Sequence, residues 1–85
     1  MIHLKEGDPC EVRTAKGLKW TRADVLLASK NGKSIALVLD DSPITPSGFF
    51  VHTAIGKVTM LLTWDDVREA WEDMATGVFV ELRVL

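Results

Sequence analysis

The chain has 85 residues, 47% of them hydrophobic, and a formal net charge of -2 at pH 7. This length allows one domain, which buries only somewhat more than about 60% of the surface that its unfolded chain exposes. The weakly acidic balance argues against general affinity for nucleic acids, and no apolar run approaches the roughly 20 residues of a membrane helix. The first residues, MIHLKEGD, lack the apolar core of a signal peptide, so a cytoplasmic protein that does not contact the membrane is expected.

Catalytic and metal chemistry find little support in the sequence. Cys10 is the only cysteine, so it forms no internal disulfide and has no second thiol with which to build a zinc site. The neighbouring Glu11 raises the pKa of a thiol rather than lowering it. Neither His3 nor His52 stands near a serine, cysteine or carboxylate in an arrangement that activates a nucleophile. No cofactor, metal ion or catalytic residue is therefore expected.

The first suggestive segment is VRTAKGLKWTR, residues 12–22, which predicts a strand, a loop and a second strand. Basic side chains that pair with phosphates stand here beside an indole on which a base can stack. The alternative interpretation is a solvated basic loop whose indole is turned into the core. The candidate ligand-binding or partner-binding residues are Arg13, Lys16, Lys19, Trp20 and Arg22.

Residues 26–39, LLASKNGKSIALVL, predict a β-hairpin. Asn31 and Gly32 both accept positive φ and suit a two-residue type I′ turn. Both faces of this hairpin are apolar, whereas a half-solvated hairpin alternates apolar and polar residues. One face is therefore expected against the core and the other against a helix or a second subunit. The predicted pairs are Leu26 with Leu37 and Ala28 with Ile35 on one face, and Val25 with Val38 and Leu27 with Ala36 on the other.

A second hairpin is predicted in GFFVHTAIGKVTMLLT, residues 48–63, with its turn near Ile55 and Gly56. Between the hairpins, DDSPITPSG, residues 40–48, contains two prolines and predicts an irregular surface loop. The final segment, VFVELRVL, alternates and predicts a half-exposed strand. Its apolar face carries Val78, Val80, Leu82 and Val84, and its polar face carries Glu81 and Arg83.

Residues 64–76, within TWDDVREAWEDMATG, predict a helix. Thr63 is a suitable N-cap with Asp66 three residues later, and Gly77 is a suitable stop. The two tryptophans then plug the core, with Trp71 more buried than Trp64. The alternative is that the acidic face, or a tryptophan edge, docks a basic partner. The apolar stripe comprises Trp64, Val67, Trp71 and Met74.

These elements predict a mainly β domain that spans residues 1–85, with one helix before the last strand. We expect a small, partly open SH3-like barrel of about five strands. The helix and the strands then share one hydrophobic core.

The segments GDPCEVRTAKGLKWTRADV and TPSGFFVHTAIGKVTML resemble the layout of SH3-like barrels and, over about half of the chain, that of the plasmid-borne type B dihydrofolate reductases. The resemblance implies a barrel that assembles into tetramers and binds folate and NADPH through a lysine and a Val-Gln-Ile-Tyr stretch. At the lysine position this chain has Thr14, so the activity is not expected to carry over. The residues that keep the order of the family are Val12, Arg13, Gly17, Trp20, Thr45, Pro46, Gly48, Phe49 and Val51, whereas Val58-Thr59-Met60-Leu61 replaces the binding stretch.

Three classes of function follow, in decreasing order of support. The first is an interaction module that binds a protein partner or a second copy of itself, because apolar surface is generous for so small a domain. A homodimer is the expected state. The second class is a nucleic-acid-binding barrel that uses the basic cluster around Trp20. A small reductase-like enzyme is the third, and it rests on the family resemblance alone.

Overall fold

The computed structural model describes residues 2–40, 44–45, 48–49, 53–54 and 57–85, with residues 44–58 described by their backbone pairing alone. Within these residues the secondary structure consists of strands and turns, without a helix. The strands are β1 (Pro9–Arg13), β2 (Thr21–Ala28), β3 (Ser34–Leu39), β4 (Ile44–Thr45), β5 (Gly48–Phe49), β6 (Thr53–Ala54), β7 (Lys57–Asp65), β8 (Ala70–Asp73) and β9 (Phe79–Val84).

Six of these strands close into a small barrel. They follow the order β1, β2, β3, β7, β8 and β9, and β9 returns to pair with β1. Every neighbouring pair is antiparallel. The prediction of a mainly β small barrel is confirmed. The described barrel has six strands, close to the expected number of about five. It is closed rather than partly open, because the last strand pairs along β1 from Cys10 with Val84 to Arg13 with Glu81.

The predicted helix over residues 64–76 was wrong, because this segment forms a β-hairpin. β7 continues to Asp65, the chain turns over residues 66–69, and β8 begins at Ala70. Trp64 is the direct cross-strand partner of Trp71, and their rings meet edge to face with centroids 5.4 Å apart. The tryptophans therefore face each other across two strands.

The residues that predicted a helix start form a single turn between β7 and β8. The Asp65 carboxylate accepts hydrogen bonds from the backbone amides of Val67 and Arg68, at 2.9 and 3.0 Å, as a helix-capping residue does. Glu69 then takes a left-handed conformation with φ of 52°, which ends the turn and starts the return strand. The residues of the predicted apolar stripe therefore do not share one face: Val67 and Met74 are exposed, while Trp71 is buried.

The first hairpin is confirmed, but its turn differs from the predicted two-residue turn. The backbone amide of Ser29 donates to the carbonyl of Ser34, so residues 30–33 form a four-residue loop. Gly32 has a φ of 73°, whereas Asn31 lies outside the left-handed region that a type I′ turn requires. Instead, the Asn31 side chain accepts hydrogen bonds from the Lys33 amide and the Ser29 hydroxyl.

A β-bulge at Leu26 changes the pairing of this hairpin. Leu27 pairs with Ala36 as predicted, but Val25 is opposite Leu37, because β2 contains one residue more than β3 at this point. The predicted pairs of Leu26 with Leu37 and of Val25 with Val38 were therefore wrong. The bulge turns two consecutive residues, Leu26 and Leu27, to the outside.

The barrel interior holds the hydrophobic core. Alternate residues point inward in β1 and β3, as the burial patterns of these strands show. β9 confirms the predicted half-exposed strand, since Val80 is buried and Arg83 is exposed. The buried apolar residues are Leu4, Cys10, Val12, Ala23, Val25, Ile35, Leu37, Leu39, Met60, Leu62, Trp71 and Val80.

The middle of the chain is described in part. Thr53 pairs with Val58 and Ala54 with Lys57, in agreement with the second predicted hairpin, while its turn residues lie outside the described part. In the predicted loop at 40–48, β4 and β5 form a short antiparallel pair. The other residues of that loop lie outside the described residues, except for Asp40.

Replacement of Trp71 by alanine is expected to lower the free energy of unfolding by about 3–5 kcal/mol, a large share of the stability of a domain this small. The physical reason is that Trp71 is only 3% exposed, so the change removes apolar burial and leaves a cavity. Trp64→Ala is expected to cost less because this ring is partly exposed. Denaturant titration provides the measurement, and a Trp71→Ala variant of near-parent stability would contradict the buried position.

Asp65 is expected to make the stability of the β7–β8 turn depend on pH. The backbone amide of Arg68, followed by its guanidinium and the Val67 amide, holds the pKa of Asp65 below its ordinary value of 3.8. Stabilisation by the carboxylate is thus present above pH 3.8 and is lost as the pH falls through the lower pKa of the folded state.

The Asp65→Asn variant keeps an acceptor oxygen for the turn but removes the charge, so its thermal midpoint at pH 7 should lie below that of the parent. The difference should vanish in acid, where the parent carboxyl is protonated. Thermal unfolding at both pH values measures this, and a difference that persists in acid would refute the role of the charge.

Candidate functional site

The predicted basic cluster is centred on Trp20, as the sequence suggested, but only part of it assembles there. Trp20 lies on the outside of the barrel at the start of β2 and is half-buried. The guanidinium carbon of Arg13 lies 4.3 Å from the centre of its ring, and that of Arg83 lies 4.1 Å away. Arg83 was missed by sequence reasoning because it is far along the chain, and only the pairing of β1 with β9 brings it here.

Both arginines at Trp20 have carboxylate partners. Arg13 forms an ion pair of 2.6 Å with Glu81, and Arg83 forms one of 2.7 Å with Glu11. These four residues form two directly opposed residue pairs across β1 and β9, and the order of the charges is reversed from one pair to the next. The positive charge beside Trp20 is therefore largely compensated within the protein, and the indole already makes cation–π contacts with two arginines.

The remaining predicted cations lie around this centre without contacting it. Arg22 is on β2 opposite Glu11 and lies 3.8 Å from Asp24, with half of its side chain exposed. Lys16 and Lys19 have exposed side chains on the loop between β1 and β2. Nucleic-acid binding by this cluster stays a prediction.

A different surface, the outer apolar row, crosses β2, β3, β7 and the end of β8 on the outside of the barrel. It consists of Leu27, Ala36, Leu61 and Met74. Leu27 is opposite Ala36, and Ala36 is in turn opposite Leu61. The Met74 amide donates to the Leu61 carbonyl at 2.9 Å, which places Met74 at the end of the row.

The outer apolar row is exposed to a degree that is unusual for such large side chains. Leu27 is 60% exposed, Leu61 is 51% exposed and Met74 is 61% exposed. Together they line a shallow cleft of about 360 Å³, to which the two serines of the β2–β3 turn, Ser29 and Ser34, contribute the polar rim. The cleft has apolar walls without a charged side chain, a composition that fits apolar surface of a partner rather than a charged small molecule.

Cys10 is completely buried in the core. Burial raises the pKa of its thiol to about 11, and the nearby Asp24 carboxylate adds to the effect. The residue therefore lacks the thiolate that nucleophilic catalysis requires at neutral pH. The sequence had pointed to Glu11 as the acidic neighbour, but burial is the larger cause.

Other chemistry is sparse in the described part of the chain. No group of three or more His, Cys, Asp or Glu side chains is placed there to hold a metal ion. His3 is exposed, and His52 lies outside the described residues. Over the same ranges, no helix is long and apolar enough to cross a membrane.

Comparison of the chain with protein-family models, with curated proteins and with solved structures found no match. The resemblance to type B dihydrofolate reductases therefore has no support beyond the segments quoted for it. Thr14, which occupies the position of their lysine, is buried.

Cys10 is expected to react with a thiol reagent such as dithionitrobenzoate only after unfolding, because its thiol is both inaccessible and protonated. The reaction at pH 8 should be slow in buffer and should accelerate across the denaturation transition. The increase in absorbance of the released nitrothiobenzoate measures the rate. Rapid modification of the folded protein would show that the core position of Cys10 is open to solvent.

Proposed function

We propose that this protein is a small interaction module that binds protein surface through the outer apolar row and, in isolation, pairs with a second copy of itself. The observation that carries the proposal is the exposure of Leu27, Leu61 and Met74 in one continuous row. Exposed apolar surface of this kind favours association because burial releases about 25 cal/mol for each Å² removed from water.

Within the described part of the chain the outer apolar row is exposed, and this exposure supports association with another chain. The sequence predicts apolar residues on both faces of the first hairpin, and a helix was one of the two covers considered. The segment expected to form that helix instead builds β7 and β8 within the barrel wall. Among the described residues, that segment therefore does not cover the outer face of β2 and β3, and a second chain can do so.

A second copy is the partner that matches this surface. The row is apolar in its centre and small-polar at its rim, so it needs a partner of the same character, and a two-fold axis brings the row against itself. Standard interfaces bury about 800 Å² on each partner, more than a row of four side chains supplies. The expected dimer is consequently weak, with a dissociation constant in the micromolar range. The free energy of dissociation at such a constant is about 8 kcal/mol or less.

The closed barrel of short strands is compatible with an SH3-like architecture, and this assignment is part of the proposal. Architecture alone does not select a ligand. Nucleic-acid binding is the second candidate, and the exposed Lys16 and Lys19 favour it, but the ion pairs of Arg13 and Arg22 oppose it. A reducing, cytoplasmic setting suits the single buried thiol of Cys10.

The test is sedimentation velocity of the parent and of Leu61→Lys over about 10–500 μM, the range of a weak association. The parent is expected to shift from monomer to dimer with concentration. Leu61→Lys places a charge in the middle of the row, so this variant should remain monomeric. Retention of the parental circular dichroism spectrum shows that the fold is intact.

Val67→Lys is the matched control, because Val67 is 91% exposed on the β7–β8 turn and does not line the cleft. This variant introduces the same charge and should dimerise like the parent. A parent that stays monomeric throughout the range would overturn the self-association proposal, as would equal dimerisation of Leu61→Lys.

A further inference from the structure

A second surface, which shares no described lining residue with the outer apolar row, contains all three tryptophans of the chain. This tryptophan groove has a volume of about 620 Å³. The inward-facing residues Val80 and Leu82 contribute its apolar wall. Its aromatic and acidic residues are Trp20, Trp64, Trp71, Glu69 and Glu81.

Arginine side chains lie on the other partly exposed aromatic rings of the described chain. Trp20 contacts two guanidiniums, and the ring of Phe79 contacts that of Arg68 at 5.3 Å. Trp64 is partly exposed as well and packs against the core, but within the described residues its ring has no cation–π contact and meets only the ring of Trp71. Because an indole face attracts a guanidinium, Trp64 presents to the groove the kind of surface that arginine occupies at the other rings.

The carboxylates of the groove differ in their state of pairing. Glu81 is already engaged by Arg13, at 2.6 Å. Glu69 is exposed and makes no ion pair with any residue that the structure describes. The groove therefore carries one uncompensated negative charge, and this charge favours a cationic ligand.

Glu69 adopts a backbone conformation that is unfavourable for a glutamate. Its φ of 52° lies in the left-handed region, where glycine or asparagine is the usual residue because a Cβ atom is crowded there. A glutamate at the end of this turn therefore lowers the stability of the fold relative to glycine. The strain and the uncompensated charge at the same residue are together typical of a binding position.

Although the six strands close into a barrel, β9 extends beyond its pairing with β8, and this leaves a short open edge beside the groove. β9 pairs with β8 only at Phe79 and Val80, whereas its pairing with β1 continues from Glu81 to Val84. In the described part of the chain, β9 beyond Val80 thus has a strand neighbour on one side alone. An extended polypeptide can add to such an edge and place alternate side chains in the adjacent groove.

From these observations we infer that the tryptophan groove binds an extended polypeptide segment through an arginine side chain. The arginine guanidinium lies on the ring of Trp64 and pairs with the carboxylate of Glu69. The backbone of the bound segment runs along the open edge of β9. This site is separate from the outer apolar row, so both surfaces can be occupied at once.

The test uses two synthetic peptides that differ only at the central residue. The first is acetyl-Thr-Val-Arg-Val-Thr-amide, and the second carries citrulline, the neutral counterpart of arginine, at the central position. The indole N–H signals of the three tryptophans in ¹⁵N-labelled protein report binding by nuclear magnetic resonance. The arginine peptide is expected to shift the Trp64 signal and to bind at least about tenfold more tightly than the citrulline peptide.

Three variants locate the effect. Glu69→Gln removes the charge and should abolish the preference for arginine over citrulline, whereas Glu72→Gln, outside the groove, should leave that preference unchanged. Glu69→Gly should weaken binding of the arginine peptide while raising the thermal midpoint, because glycine relieves the left-handed strain. Weaker binding by a more stable protein excludes loss of the fold as the cause.

Leu61→Lys separates this site from self-association, since that variant should bind the arginine peptide as tightly as the parent does. Equal affinity of the parent for both peptides would overturn the inference. Absence of binding would also overturn it. So would a Glu69→Gln variant that prefers the arginine peptide over the citrulline peptide as strongly as the parent does. None of these outcomes depends on whether the protein dimerises.

Discussion

Trp64 and Trp71 face each other across the β7–β8 hairpin, and their edge-to-face contact continues to Val80 on β9. This row of three side chains joins the strands at the weakest section of the wall, where β8 has four residues and pairs with β9 at only two positions. Two indoles bring a large apolar surface to a place with few backbone hydrogen bonds. This contact supports closure of the barrel, because β8 is the strand that lies between β7 and β9 in the wall.

The spacing of the tryptophans explains why the sequence indicated a helix. Residues seven apart lie on one face of a helix, two turns from each other, but they are also opposite each other in a hairpin with a four-residue turn centred between them. The capping signal did not separate the alternatives, because Asp65 caps one turn in either case. Glu69 decides between them, since its left-handed conformation ends the turn, and nothing in the type of this residue announces that conformation.

Other features were more accessible to sequence reasoning. The first hairpin, the backbone pairing of the second, the alternating last strand and the neighbourhood of Arg13 and Trp20 follow from local patterns. The bulge at Leu26 did not follow, because a run of apolar residues contains no sign of which one is left unpaired. The charge pairs between β1 and β9 join residues 68 and 72 positions apart, so they emerge only from the closed topology.

The pairing of β1 with β9 has a consequence for how the barrel forms. Hairpins close over short loops, but this pair joins strands near opposite ends of the described chain, so its loop-closure entropy is the largest of any strand pair. Until it forms, both strands present unpaired edges, and such edges are templates for pairing with other chains. During synthesis on the ribosome, β1 therefore lacks its second neighbour until β9 has emerged, and its edge is exposed to pairing with other chains in that interval.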